Sequence, residues 1–155
     1  MEFTGSRTIA APRAAVWAAL TDPSVLRQAI PGCTQMTGSV EEGFDAVVTQ
    51  KVGPVKATFR GTVTLSDVVP GASYRIEGAG KGGVAGFARG GADVRLTDAD
   101  GGVTLMEYAA DGKVGGKLAQ LGGRVVGGFA RTMADRFFAN LEELIEDARP
   151  PEGPR

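Results

Sequence analysis

The sequence contains no histidine, a single cysteine, one tryptophan and only two tyrosines. Each shortage excludes something. Without histidine there is no imidazole to act as a general base near neutral pH, and the commonest nitrogen ligand for a metal is missing. A nucleophile such as Cys33 or a serine therefore has no histidine to activate it. One cysteine cannot form an internal disulfide framework, which fits a reducing compartment. Cysteine and carboxylates are too few and too scattered to form a zinc or calcium ligand set. Cys33 follows a Pro-Gly turn and reads as a small buried thiol rather than a reactive one. Long apolar runs are also absent. No stretch approaches the roughly 20 residues of a membrane-spanning helix. The opening MEFTGSRTIAAP has no basic start leading into an apolar stretch, so no signal peptide is expected. Seventeen basic and 18 acidic residues leave a net charge of −1. The basic residues are dispersed along the sequence without interleaved stacking aromatics, so no nucleic-acid partner is expected. Gly112 to Lys117 lacks the spacing of a phosphate-binding loop, because Leu118 stands where serine or threonine would be required.

Glycine is what the chain has in excess: 24 of 155 residues, about twice the ordinary share of roughly 7%. Many of these glycines fall inside segments that alternate like strands. In Val55, Ala57, Phe59, Gly61, Val63 and Leu65 every odd position is apolar or glycine, while the positions between them are polar. That alternation describes a sheet with one face buried and one wet. The same parity carries through Tyr74, Ile76, Gly78 and Gly80, through Ala88, Gly90, Ala92, Val94 and Leu96, and through Met106, Tyr108, Ala110, Gly112 and Val114. Several strands thus lack bulk near their middles. Glycine inside a strand marks a bend or the close approach of another group. Such a sheet is expected to be sharply curved or hollow, and a hollow apolar sheet holds a ligand.

The order of elements is simple. Glu2 to Ile9 reads as a strand. Pro12 suits the first turn of a helix over Ala14 to Leu20, and Asp22-Pro23 caps and opens a second short helix ending near Ala29. Ile30-Pro31-Gly32-Cys33 breaks it. Five or six strands follow, separated by Glu42-Gly43, Gly53-Pro54, Pro70-Gly71, Gly82-Gly83 and Asp100-Gly101-Gly102. A long helix is expected from about Gln120 to Ala148, with Leu118, Leu121, Val125, Phe129, Met133, Phe137, Leu141 and Leu144 forming an apolar stripe against the sheet. Gly122, Gly123, Gly127 and Gly128 weaken its first half. They predict a helix that frays, bends or begins late, with either close helix–sheet packing or a gate over a cavity mouth as the reason. Residues 1–148 are read as one ligand-binding domain and 149–155 as a disordered Pro-rich tail.

Candidate chemistry is sparse. Asp45, Glu77, Asp93, Glu107 and Asp111 lie on the polar parity and Glu41-Glu42 in a turn, so all are expected in solvent. Gln50 shares the parity of Ala46 and Val48 and is a candidate inward polar group. The expected lining of a cavity is Gln50, Phe59, Tyr74, Ile76, Phe87, Gly90, Ala92, Val94, Met106, Tyr108, Leu121, Val125, Phe129 and Met133. Phe87 is off the inward parity and is placed at a lip. Tyr74, Tyr108 and Gln50 are the candidates for orienting a polar head group. No catalytic or metal-binding residue is assigned.

The order of elements resembles the helix-grip fold shared by START-like lipid-transfer proteins and polyketide cyclases: an α+β fold in which a curved antiparallel sheet of six to seven strands wraps a long C-terminal helix. More specific features resemble the G-subunit family of carbon monoxide dehydrogenase. They are Phe3-Thr4-Gly5, the Ala11-Pro12 step with Val16-Trp17 and Leu20, Asp22-Pro23, and Ile30-Pro31-Gly32-Cys33. Gly53-Pro54-Val55-Lys56-Ala57 with Phe59-Arg60-Gly61 and the run Gly115 to Gly122 continue the likeness, which spans about Met1 to Ile145.

The resemblance implies an accessory protein rather than an enzyme. Members accompany molybdenum-containing carbon monoxide dehydrogenases and related hydroxylases, and are thought to tether the enzyme to the membrane and supply it with quinone. The implied ligand is a non-covalently held menaquinone or ubiquinone. The implied location is cytoplasmic, at the inner face of the membrane, with peripheral membrane contact. Larger members carry a C-terminal membrane-binding extension, and the sequence ends at Arg155, where a proline-rich linker would begin. Two alternatives stand beside this expectation: a tether or assembly factor with an incidental cavity, and a small cyclase or hydrolase on the same fold.

Overall fold

A computed structural model describes residues 1–148. The expectation for residues 149–155 lies outside the described residues. Among the described residues, seven strands form one fully antiparallel sheet: β1 (Glu2–Ile9), β2 (Cys33–Ser39), β3 (Gly43–Val52), β4 (Val55–Val69), β5 (Ser73–Lys81), β6 (Phe87–Ala99) and β7 (Val103–Gly115). The order across the sheet is β1-β7-β6-β5-β4-β3-β2. Hairpins join β2 through β7, and β1 crosses to pair with β7, Glu2 opposite Asp111 and Ile9 opposite Thr104. The helices α1 (Arg13–Leu20) and α2 (Pro23–Ala29) lie between β1 and β2. A short α3 (Lys117–Gln120) follows β7, and α4 (Gly123–Ala148) closes the structure. This is the helix-grip arrangement.

Local chemistry sets the boundaries. The Asp22 carboxylate accepts from the Ser24 N–H at 2.8 Å and caps α2, with Pro23 at the first helical position. Pro12 sits one residue earlier than expected, extended, at the N-cap of α1. The final helix is not continuous from Gln120. The chain leaves α3 through Gly122, whose φ of +86° only glycine adopts without strain, and α4 starts at Gly123. A side chain at Gly123 or Gly128 would meet nothing within 4 Å, and one at Gly127 only the Met1 sulfur. These glycines do not serve close helix–sheet packing.

The core fills one half of the grip. Tyr74, Val94, Leu96 and Met106 from the sheet meet Phe138, Leu141 and Ile145 of α4 and Val16 and Leu20 of α1. Trp17 stands edge-on to Tyr74, ring centroids 5.4 Å apart. Polar ties fix the layers. The fully buried Thr104 hydroxyl donates to the Ala11 carbonyl at 2.7 Å, Asn140 donates to the Ala29 carbonyl at 3.0 Å, and Arg7 pairs with Glu142 at 2.5 Å. On the outer sheet face Arg75 reaches Glu77, Asp93 and Asp111 on three adjacent strands. It crosses above Gly91, where any side chain would displace it.

Candidate functional site

The other half of the grip is hollow. Each inward face changes from large to small residues along its length. β5 runs from Tyr74 and Ile76 to Gly78 and Gly80. β6 runs from Leu96 and Val94 to Gly90 and Ala88, and β7 from Met106 and Tyr108 to Ala110 and Gly112. The small ends, with Ala46, Val48, Gln50 and Val52 of β3 and Phe59, Gly61 and Val63 of β4, surround a cavity of about 470 Å³. α4 covers it with Val126, Phe129, Ala130 and Met133, and Leu118 of α3, Phe3 and Met1 complete the wall. A volume of this order is ordinary for a small-molecule site. A larger depression of about 730 Å³ lies over the opposite sheet face among Arg75, Asp93, Arg95 and Glu107. It is a polar surface groove. The cavity beneath α4 is the candidate site because its walls are apolar and come from both layers.

The glycines of the wall act in two ways. A side chain at Gly61 would collide with the Ala79 carbonyl oxygen, and one at Gly90 would lie 2.7 Å from the Asp111 carbonyl oxygen. These two permit the close strand approach of a strongly coiled sheet. At Gly78 and Gly80 an added Cβ would make ordinary contacts, 3.6 Å to Val63 and 3.5 Å to Phe59. Backbone packing does not require glycine there, and its absence of bulk leaves the cavity open.

Five of the expected lining residues surround this cavity: Gln50, Phe59, Gly90, Phe129 and Met133. Tyr74, Val94 and Met106 are in the packed core, and Ile76, Ala92 and Tyr108 pack against it. They hold the inward parity but lie in the filled half. Tyr108 stacks between Phe3 and Phe138, centroids 6.2 and 5.0 Å away, at the border of the two halves. Phe87 is 39% exposed and lies over Gly115 on the neighbouring strand. Leu121 and Val125 face the β3–β4 turn at Gly53 instead, and Val125 is 44% exposed while Val126 is 8% exposed. The reason is helical phase. At about 100° per residue, Val125 is rotated about 160° from Leu141 and Val126 only about 60°. A stripe followed in steps of four drifts off the buried face. Met1, Phe3, Ala46, Val48, Val52, Val126 and Ala130 are wall residues outside the expected lining. The parity of Gln50 nonetheless carries Ala46, Val48 and Val52.

Among the described residues, Gln50 is the one inward-parity polar side chain on the cavity wall. Its Nε2 donates to the Pro31 carbonyl, and Gly32 (φ +77°) brings that turn against β3, where the Thr49 N–H donates to the Gly32 carbonyl at 2.9 Å. The Ile30-Pro31-Gly32-Cys33 motif thereby sets the amide's orientation and leaves its oxygen and second N–H for a ligand. Cys33 is half-buried and its thiol donates to the Gln35 carbonyl at 3.3 Å; burial pushes its pKa up and keeps it protonated. Among the described residues, no three His, Cys, Asp or Glu side chains converge to hold a metal. No helix among them is long and apolar enough to cross a membrane.

Residues 5–146 match the family model for the carbon monoxide dehydrogenase G subunit (CoxG). The chain belongs to the CoxG family. No curated protein sequence matches it significantly. Among solved structures, a conserved protein from Geobacillus kaustophilus is 28% identical with a TM-score of 0.88, over 96% of this chain and 97% of that one. A START superfamily protein from Mycobacterium smegmatis shares the fold at 14% identity and a TM-score of 0.70, over 96% and 99% of the two chains. An uncharacterized protein from Rhizobium leguminosarum does so at 17% identity and a TM-score of 0.70, over 95% of both. Membership of the CoxG family and the START-like fold point to a ligand-binding accessory protein.

Proposed function

We propose that the chain is a non-catalytic accessory protein of a molybdenum hydroxylase of the carbon monoxide dehydrogenase type. It takes a respiratory quinone, menaquinone or ubiquinone, into the cavity beneath α4 and links the enzyme to the membrane quinone pool from the cytoplasmic face. The observation that carries this reading is an apolar cavity in which, among the described residues, the one inward-parity polar side chain is a pre-oriented amide. A quinone offers a flat apolar ring, an apolar tail and carbonyl acceptors. Apolar wall burial supplies the affinity, offset by the entropy of association. The second Gln50 N–H supplies a donor to one carbonyl.

Calorimetric titration with a short-tailed menaquinone tests this. One equivalent is expected to bind. Gln50→Leu is expected to weaken the quinone about tenfold, the effect of one lost hydrogen bond. Absence of quinone binding to the native protein would contradict the reading.

A further inference from the structure

The net charge of −1 conceals a segregation. Segments 46–66, 78–92 and 112–134 hold nine of the 17 basic residues, including all five lysines, and none of the 18 acidic ones. Far apart in sequence, they meet at the hollow end of the grip. Lys51 faces Lys56 at the β3–β4 tip. Arg60, Lys81, Phe87 and Gly115 form one row across β4, β5, β6 and β7, and Arg89 faces Lys113 close behind it; the next carboxylates on this face, Glu77 and Asp111, border Arg89 and Lys113 and are paired with Arg75. Lys117 begins α3 and Arg124 lies in the first turn of α4. A Cβ on Gly53 would lie 3.9–4.0 Å from Leu121 and Val125, so the hairpin tip and the start of α4 belong to one surface. These eight side chains are exposed, and among the described residues none has an ion-pair partner. By contrast Arg7, Arg13 and Arg75 are each paired to carboxylates.

Exposed apolar side chains stand among these cations: Val84 at 84%, Phe87 and Val125. Val84 lies in the tight turn between β5 and β6, flanked by Gly82, Gly83 and Gly86. Behind the same surface, Val52, Phe59, Val114, Leu118 and Val126 form the end wall of the cavity.

We propose that this cation-rich end docks on an anionic phospholipid bilayer, with Val84, Phe87 and Val125 entering the headgroup layer. The proposal rests on charge and exposure and is independent of which ligand fills the cavity. Cations interspersed with apolar side chains are what an anionic leaflet attracts. An acidic protein surface is the weaker fit. Lysine is depleted in protein–protein interfaces, and the apolar side chains here stand singly rather than as a contiguous patch.

Co-sedimentation of the quinone-free protein with phosphatidylcholine vesicles, with and without added phosphatidylglycerol, tests it. Binding is expected only to the mixed vesicles and is expected to fall with salt. The triple variant Lys51→Gln, Lys56→Gln, Lys81→Gln should lower partitioning on the order of a hundredfold, about fivefold per cation. Val84→Ser should weaken binding at every salt concentration without changing the salt slope. The control Arg27→Gln, Arg95→Gln, Arg136→Gln removes the same charge elsewhere and should bind as the native protein does. Failure to bind mixed vesicles, or equal losses in the lysine and control variants, would overturn the proposal. So would a lysine face that binds an acidic protein and no vesicles. Quinone binding is measured separately and survives any of these outcomes.

Discussion

The cavity exists because particular residues are small, and two of its glycines separate backbone need from cavity need. Gly61 lies against the Ala79 carbonyl oxygen, so Gly61→Ala has nowhere to put its methyl group. It is expected to destabilise the fold by about 1–3 kcal/mol, the range for overpacking, read as a lowered denaturation midpoint. Gly78 has room for a Cβ. Gly78→Leu is expected to fill the cavity and abolish quinone uptake while the melting temperature holds or rises, since glycine is unfavourable inside a strand. Uptake by a folded Gly78→Leu protein would place the ligand elsewhere. The inward glycines are legible in sequence from period two alone. Which of them serve curvature and which serve volume is not, because that depends on the distance to a neighbouring strand.

At the scale of elements, Thr104 shows how little tertiary wiring a pattern reveals. It shares the inward parity of Met106, so its burial is readable, but its partner is not: the hydroxyl donates to Ala11 where β1 turns into α1. Thr104→Val keeps the shape and leaves that carbonyl without its partner. A loss of about 1–3 kcal/mol is expected and can be read from urea unfolding; an unchanged midpoint would mean that water substitutes for the hydroxyl. The succession of strands along the chain, the Asp22 cap and the late start of α4 are readable, since turn glycines, an N-cap and clustered helix glycines act locally; the pairing of β1 with β7 is not. The buried face of α4 is only half readable. Following every fourth residue selects Val125 in place of Val126, because a 3.6-residue turn does not close in four. Parity likewise identifies the inner face of the sheet but not where along it filling stops. The border between core and cavity falls where α1 and the C-terminal half of α4 cease to reach, near Tyr108, a purely tertiary condition.

Over the whole molecule, filled and hollow halves impose different properties. The filled half holds Tyr74 in an apolar setting that pushes its pKa up, and burial followed by the charge of Asp135 raises that of Tyr108. A raised folded-state value contributes stability that is present below the unfolded value and lost as pH climbs above it. Stability is therefore expected to fall above about pH 10, the ordinary tyrosine range, and Tyr74→Phe should flatten that fall; an equally steep fall in the variant would assign it to other groups. The hollow half carries the cations, whose gathering is invisible in the sequence because strand pairing, not proximity in the chain, brings Arg60, Lys81, Arg89 and Lys113 together. The central claim is that the hollow half carries a quinone. Native mass spectrometry of the protein isolated from its own host, followed by solvent extraction and identification of what is released, tests it most directly. Near-stoichiometric quinone is expected. A protein that emerges empty and takes up no added quinone would contradict the account.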